Sequence, residues 1–306
     1  MNPAWSVIVF TTVAGAAQGL VVSLALATLM GVRTAPVFLS HTLLMALVML
    51  GVGLVSSFFH LGRPERAWRA ATMWRTSWLS REVIVLPAFT GAVALWWWFG
   101  PATPAVWLLA CVALSVVLWW CTGMIYACLR FIQEWAHPLT IAGFALIGLS
   151  SGLVLAGGLA AGAGEAALLK AVSPWALLAT LAAWGTRYAA LRRNATLAAK
   201  STLQSATGIH ATRLRQTSMG MSAGAFNTRE FFHGRTLALL RQVKALCFVL
   251  AFAAPTLLLL WAQRADAGGW PWALALLLQA PGLLAERWFF FAQARHPQNL
   301  YYQVVS

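Results

Sequence analysis

Apolar residues gather along the chain in eight runs, approximately 6–30, 36–60, 83–100, 105–129, 138–160, 174–191, 243–262 and 271–292. Crossing a hydrocarbon core about 30 Å thick takes roughly 20 residues of helix, and each run approaches that length. Segments this long satisfy their backbone groups in lipid only as helices. The pattern therefore predicts an all-α integral membrane protein, a single membrane domain over 1–306 with eight transmembrane helices. The third and sixth runs are the shortest. No Lys or Arg precedes the first run, which continues to Met30. It reads as a retained membrane helix, since a secretory signal has a basic start and a shorter apolar stretch. Gly15 and Gly19, and Gly148 and Gly152, have the spacing that lets two helices approach closely. Trp96, Trp97 and Trp98, and less clearly Trp119 and Trp120, read as interfacial belts.

Composition narrows the class further. Hydrophobic residues make up 60 % and charged residues 9 % of the chain, and the mean hydropathy is +0.74. Soluble domains carry about 25 % charge. A soluble domain, a disordered chain, a nucleic-acid-binding domain and a secreted disulfide scaffold are all excluded as descriptions of the whole. Cys111, Cys121, Cys128 and Cys247 form no CxxC pair, so neither a metal ribbon nor an iron–sulfur site is encoded.

The net charge of +14 is unevenly placed. Eight spans put both termini on one side, together with 61–82, 130–137 and 192–242. Of the 21 Lys and Arg residues, all but Arg33, Lys170 and Arg264 belong to that side. The positive-inside rule then puts both termini in the cytoplasm of a bacterial inner membrane. Attraction to anionic lipid accounts for much of the charge. The 192–242 connection asks for more. It carries Arg192, Arg193, Lys200, Arg213, Arg215, Arg229, Arg235 and Arg241 against the single acid Glu230. Leu203, Ile209, Leu214, Met219, Met221, Phe226, Phe231 and Phe232 are spread through it, as a surface docked on a partner subunit requires and a flexible linker does not. No nucleic-acid motif accompanies the charge.

The histidines make a poor haem site. His41 and His60 lie on one helix, about 28 Å apart along its axis. His60 and His137 are the one candidate pair, both at helix ends, with His137 in a turn before Pro138. The bundle is read as haem-free. A secondary transporter is the alternative of a different class, but Glu65, Glu82, Glu134, Glu230 and Glu286 cluster toward the basic side rather than at mid-membrane.

The segment 59–82 concentrates the chemistry. His60 ends the second span, Gly62 permits a turn or close approach, and Pro64 suits the first turn of a short helix. Trp68, Trp74 and Trp78 mix with Arg66, Arg69 and Arg75, as in a helix lying in the interface over 61–82. Ser80 reads as an N-cap with Glu82 in the first turn of the third span, and Pro87 would free a carbonyl near Glu82. Taken singly, each residue has a structural reading, such as an Arg66 that only snorkels to phosphate. Together an imidazole, a guanidinium and a carboxylate converge at the lipid boundary. A quinone there needs donors to its carbonyl oxygens, and its two-electron reduction takes up two protons that His60 and Glu82 are suited to relay. Glu286 and Arg287 are either an ion pair that fixes packing, the reading the sequence favours, or an extension of that proton route.

These residues also carry a family resemblance. His60-Leu61-Gly62-Arg63-Pro64, followed by Arg66-Ala67 and Ser80-Arg81-Glu82, resembles the membrane-anchor subunit of dimethyl sulfoxide reductase. The loop here is richer in Trp and Arg than the family's. The resemblance implies a quinone-reactive anchor for a molybdopterin catalytic subunit and a four-cluster, ferredoxin-like iron–sulfur subunit. Those cofactors would reside in the partners, and ubiquinone or menaquinone would be the bound substrate. Carried over by position, the quinone-site residues would be His60, Gly62, Arg66 and Glu82, with Arg63, Arg81 and Glu286 as lesser candidates. Glu134-Trp135-Ala136-His137-Pro138, Phe226-Asn227-Thr228-Arg229-Glu230-Phe231-Phe232, Ala285-Glu286-Arg287-Trp288 and Gln298-Asn299-Leu300-Tyr301-Tyr302 look like the anchor of the cytoplasmic sulfite dehydrogenases within that family. That narrower match implies sulfite oxidation, which reduces quinone; sulfoxide reduction would oxidise quinol instead.

Overall fold

A computed structural model describes residues 1–59, 63–215, 217, 235–264 and 268–300. It contains eight helices long and apolar enough to cross a membrane. They are α1 (Trp5–Leu29), α2 (Pro36–Phe58), α3 (Trp78–Phe99), α4 (Ala105–Ala127), α5 (Pro138–Ala163), α6 (Ala166–Ala195), α7 (Leu237–Ala262) and α8 (Trp270–Ala292). Among the described residues there is no strand.

Five spans match the hydropathy reading to within a few residues, and three start earlier. The third begins at Trp78 because Ser77, not Ser80, is the cap: the Ser77 hydroxyl accepts the Ser80 N–H at 3.3 Å. Ser80 is buried, and Glu82 falls in the second turn. The sixth starts at Ala166 and runs for 30 residues, straight through Pro174. A proline inside a helix removes one hydrogen bond. Here Leu168 and Val172 bury the preceding turn against the core, and Glu165 accepts the Ala35 N–H at 2.8 Å. The seventh starts at Leu237, capped by Thr236, so that Arg241 and Lys244 lie on the helix.

Helices α1 and α5 form the centre. Helix α1 packs on α2, α4, α5 and α8, and α5 on α4, α6 and α8. Their meeting is set by the paired glycines. A β-carbon on Gly19 would collide with the Gly148 carbonyl, and one on Gly152 with the Gly19–Leu20 backbone. In lipid the hydrophobic effect does not drive helices together, so backbone proximity and dense packing must do so. The belt reading is corrected in part. Trp98 is exposed and Trp97 partly so, but Trp96 and Trp119 are buried in the bundle.

Helix α7 contains a π-helical stretch, Phe248–Ala253, ahead of Pro255. Pro255 has no N–H to offer the Ala251 carbonyl one turn back. Gln279 Nε2 of α8 donates to that carbonyl at 3.4 Å and to Ser150 Oγ at 3.2 Å. Gly282 lets α8 lie directly against Leu250 and Ala251. Thr180 spends its own proton on the Ala176 carbonyl at 2.7 Å, so Ser150 is the donor in the 2.8 Å bond between them. Ser150, Thr180, Gln279 and the Ala251 carbonyl are thus paired across four helices.

Gly152→Leu is expected to destabilise the bundle by about 1–3 kcal/mol or more through overpacking. Gly162→Ala, where a β-carbon meets nothing within 4 Å, should leave stability unchanged. Thermal unfolding of both variants in detergent checks the pair. His137 caps α5 by accepting the Leu139 N–H at 3.2 Å on Nδ1, and burial, then the Arg193 charge, holds its imidazole below the ordinary 6.5. Protonation abolishes that acceptor and is favoured in the unfolded chain. The cap's contribution is therefore present above the ordinary value and lost as pH falls below it. His137→Asn, which keeps a capping side chain, should flatten the fall in unfolding temperature on acidification.

Candidate functional site

Between α2 and α3 the chain crosses the rim that carries most of the positive charge. A 3-10 helix, Pro64–Ala71, begins with Pro64 in the position where a missing N–H costs nothing, and it buries no residue. After it, Arg81 reaches back from α3. Its Nε donates to the Trp74 carbonyl and its Nη2 to the Arg75 carbonyl, both at 2.9 Å. The same guanidinium lies 4.0 Å from the Trp78 ring centre. Arg75 sits over Trp74 at 5.4 Å and Arg69 near Trp68 at 5.9 Å. Stacked indoles and guanidiniums suit the lipid–water boundary, where one face is apolar and the other wet.

Arg63 and Arg66 are exposed on this loop. The nearest acid to Arg66 is its neighbour Glu65 at 3.9 Å, a solvent-screened pair of little energetic weight. His60 and Gly62 lie outside the described residues. Arg81 is spent on loop carbonyls.

Glu82 is different. It is 4 % exposed. Thr122 of α4 donates its hydroxyl to Glu82 Oε1. The next residue on α4, Gly123, fixes where Thr122 stands, because a β-carbon there would come within 2.8 Å of Ile141 Cα on α5. Pro87 leaves the carbonyl of Val83, the residue after Glu82, without its helical donor. Glu82 lies only about 6 Å of helix rise below the start of α3. A buried carboxyl thus sits just inside a rim lined with Trp and Arg.

A second buried group belongs to α6 and α8. Arg187 Nε lies 2.8 Å from Glu286 Oε1, and Arg287 Nε lies 3.0 Å from Glu286 Oε2. All three side chains are buried. The Arg287 guanidinium is 4.1 Å from the Phe144 ring centre, and Arg187 lies near Phe289 and Phe290. Tyr126, Trp135, Phe144, Phe290 and Phe291 pack edge-to-face and stacked around this corner. Glu286 is thus partnered by arginines and Glu82 by Thr122, and Arg287 and Thr122 border one small cavity.

Sequence reasoning missed Thr122 and the partnership of Arg187 with Glu286. Thr122 left no signal, since one hydroxyl in an apolar helix is unremarkable. Arg187 did leave one: an arginine within an apolar span requires a counter-charge.

Outside the bundle, residues 131–134, 194–201 and 295–300 frame a recess of about 250 Å³ on the same rim. Glu134, Lys200, Arg295 and His296 line it.

Comparison with known proteins adds the following. Residues 1–293 match the family model for the DMSO reductase anchor subunit, DmsC. The chain is similar to a sulfite dehydrogenase subunit of Allochromatium vinosum, 45 % identical over 328 aligned positions that span 100 % of both proteins. It is also similar to two anaerobic dimethyl sulfoxide reductase proteins of Escherichia coli over about half its length. One of them, YnfH, is 30 % identical, covering 44 % of this chain and 48 % of its own length. The other is 28 % identical, covering 49 % and 55 % respectively.

Removing Glu286 leaves two guanidiniums facing each other in an apolar surround. Glu286→Leu should cost about 3–5 kcal/mol, against little for exchanging the exposed Glu65. Unfolding in detergent, or the yield of folded protein in membranes, measures the difference.

Proposed function

This chain belongs to the family of dimethyl sulfoxide reductase anchor subunits, and from that premise we propose that it passes electrons between a docked iron–sulfur subunit and membrane quinone. The buried carboxyl of Glu82, held by Thr122 just beneath the arginine-rich rim, is the observation that carries this reading. A quinone accepting two electrons must also gain two protons, one on each oxygen. Glu82 is suited to donate one, as a carboxyl group kept from bulk water and close to the lipid boundary. Arg66, and His60 and Gly62 by family position, would orient the quinone carbonyls, with Arg63 nearby. Arg81 would act indirectly, by holding the 72–76 turn in place.

The partners, in this reading, are a four-cluster iron–sulfur subunit and a molybdopterin catalytic subunit. They would dock on the basic rim, at the recess beside Lys200 and Arg295 and at the connection between α6 and α7, which the structure narrows from 192–242 to 196–236 and whose residues 216 and 218–234 lie outside the described residues. The rim faces the cytoplasm by the positive-inside rule, with both termini on that side of a bacterial inner membrane. Full-length similarity to a sulfite dehydrogenase subunit favours sulfite as the electron source, so that quinone is reduced. Partial similarity to the two dimethyl sulfoxide reductase proteins supports the reverse direction as the second reading.

In the intact complex, Glu82→Gln should lower quinone-linked turnover by about a hundredfold, the scale of a lost proton donor. Oxidation of sulfite with an artificial dye as acceptor should be unchanged. Equal quinone turnover and equal quinone-site inhibitor binding in variant and parent would overturn the assignment. Solute flux through the isolated chain in liposomes would favour a transporter instead.

A further inference from the structure

We propose that a cavity between α1, α4, α5 and α8 holds an ordered water, and that this water links Glu82 to the cytoplasmic rim past Arg287. The inference rests on the quinone reading above and names the route by which Glu82 regains its proton.

The cavity has a volume of about 20 Å³. That suffices for one water molecule, which needs roughly 10–15 Å³ and two to four polar partners. Its lining supplies them: Thr12, Gln18, Trp119, Thr122 and Arg287. Three of these carry buried polar atoms with no protein partner, namely Thr12 Oγ1, Gln18 Oε1 and Trp119 Nε1. Gln18 is 3 % exposed and Trp119 6 %. The amide nitrogen of Gln18 is already committed to the Ala14 carbonyl at 3.1 Å, so its oxygen is left facing no protein donor. An indole N–H and an amide oxygen are complementary, and a water between them accepts from the first and donates to the second. An apolar cavity of this size stays dry; one whose lining residues carry three unpaired polar atoms favours a water.

A second cavity of about 20 Å³ lies nearer the rim, lined by Glu134, Thr140, Arg187, Glu286 and Arg287. Arg287 and Ile147 border both cavities. The polar sequence therefore runs from Glu134 at the rim, past the Arg187–Glu286–Arg287 group, to the inner water, to Thr122 and to Glu82.

The charges suit a particular direction of transfer. Among the described residues four charged side chains are buried: Glu82, Glu286, Arg187 and Arg287. While Glu82 holds its proton they carry one positive charge in excess, which favours release of that proton to quinone. When quinone takes electrons from the iron–sulfur partner, the O–H bond of Glu82 breaks and a new O–H bond forms on the quinone oxygen. Thr122 then passes its hydroxyl proton to the carboxylate and takes one from the inner water. The resulting hydroxide takes a proton from a water in the second cavity, which regains one from solvent at the rim. Its negative charge moves past Arg287, whose guanidinium keeps its own proton and stabilises the passing anion. One proton enters at the rim for each proton delivered to quinone, and the chain returns to its starting state.

The test uses the intact complex with Trp119→Phe, which keeps the ring and removes the N–H, and Gln18→Leu. Quinone-linked turnover should fall by about tenfold or more in each, with dye-linked sulfite oxidation unchanged and a larger solvent deuterium effect. Infrared difference spectra of quinone reduction in the unmutated complex should contain a water O–H band that shifts in H2(18)O and disappears in Trp119→Phe. Absence of that band from the unmutated complex overturns the proposal even if neither variant folds. Parental rates in both folded variants overturn it too. If Glu82→Gln is slow while both cavity variants turn over normally, the quinone reading stands and the water link falls. If Glu82→Gln itself is normal, the quinone reading has failed first.

Discussion

Charge buried in an apolar bundle must be answered by opposite charge, and that constraint organises this protein. An isolated ion deep in a low-dielectric interior costs several kcal/mol even after relaxation. Here Glu286 shares the interior with the guanidiniums of Arg187 and Arg287. Arg187 and Arg287 hold Glu286 at 2.8 and 3.0 Å, joining α6 to α8. Glu82 takes its hydrogen bond from Thr122, joining α3 to α4. Such pairs add little net stability over a hydrophobic core of equal volume. The Arg187–Glu286–Arg287 group does specify which faces of α6 and α8 meet, because another pairing strands a charge.

Apolar contact alone would not make that choice in lipid. The close contacts come from missing side chains: Gly19 against Gly148 and Gly152, Gly123 against Ile141, Gly282 against Leu250 and Ala251. Backbones that approach so closely bring polar groups within reach of partners on other helices. The Gln279–Ser150–Thr180 series and the donation of Gln279 to the Ala251 carbonyl, which Pro255 leaves unmet, are the result. The π-helical stretch of α7 is tolerated because a neighbouring helix supplies the absent donor.

The division between rim and interior follows from the same physics. Arginines that can reach water stack on Trp68, Trp74 and Trp78 and shape an exposed loop. The acid that cannot reach water is held one helix turn deeper. A lipid-soluble substrate approaching from the membrane and a water-soluble partner approaching from the rim would meet between these two layers. That meeting place is what the proposed electron transfer to quinone would use.

Hydropathy alone was enough to establish eight helices, because twenty apolar residues in lipid have one backbone solution. Charge asymmetry marked one rim, and the 59–82 segment, with Glu82 at its end, marked the candidate site. Local pattern erred where local signals compete. Ser80 and Ser77 are equally good caps by composition, and only backbone conformation chose Ser77. Pro174 reads as a helix start, but tertiary burial of Leu168 and Val172 carried α6 past it. Trp96 and Trp98 are indistinguishable by type, and their opposite burial depends on which side of α3 meets its neighbours. Partnerships such as Thr122 with Glu82 and Arg187 with Glu286 join residues 40 and 99 positions apart. Periodicity constrains each helix separately and carries no term for the rotation of one against another. Those pairings were decided only by the packed bundle, where glycine contacts and charge neutrality together fix which faces meet.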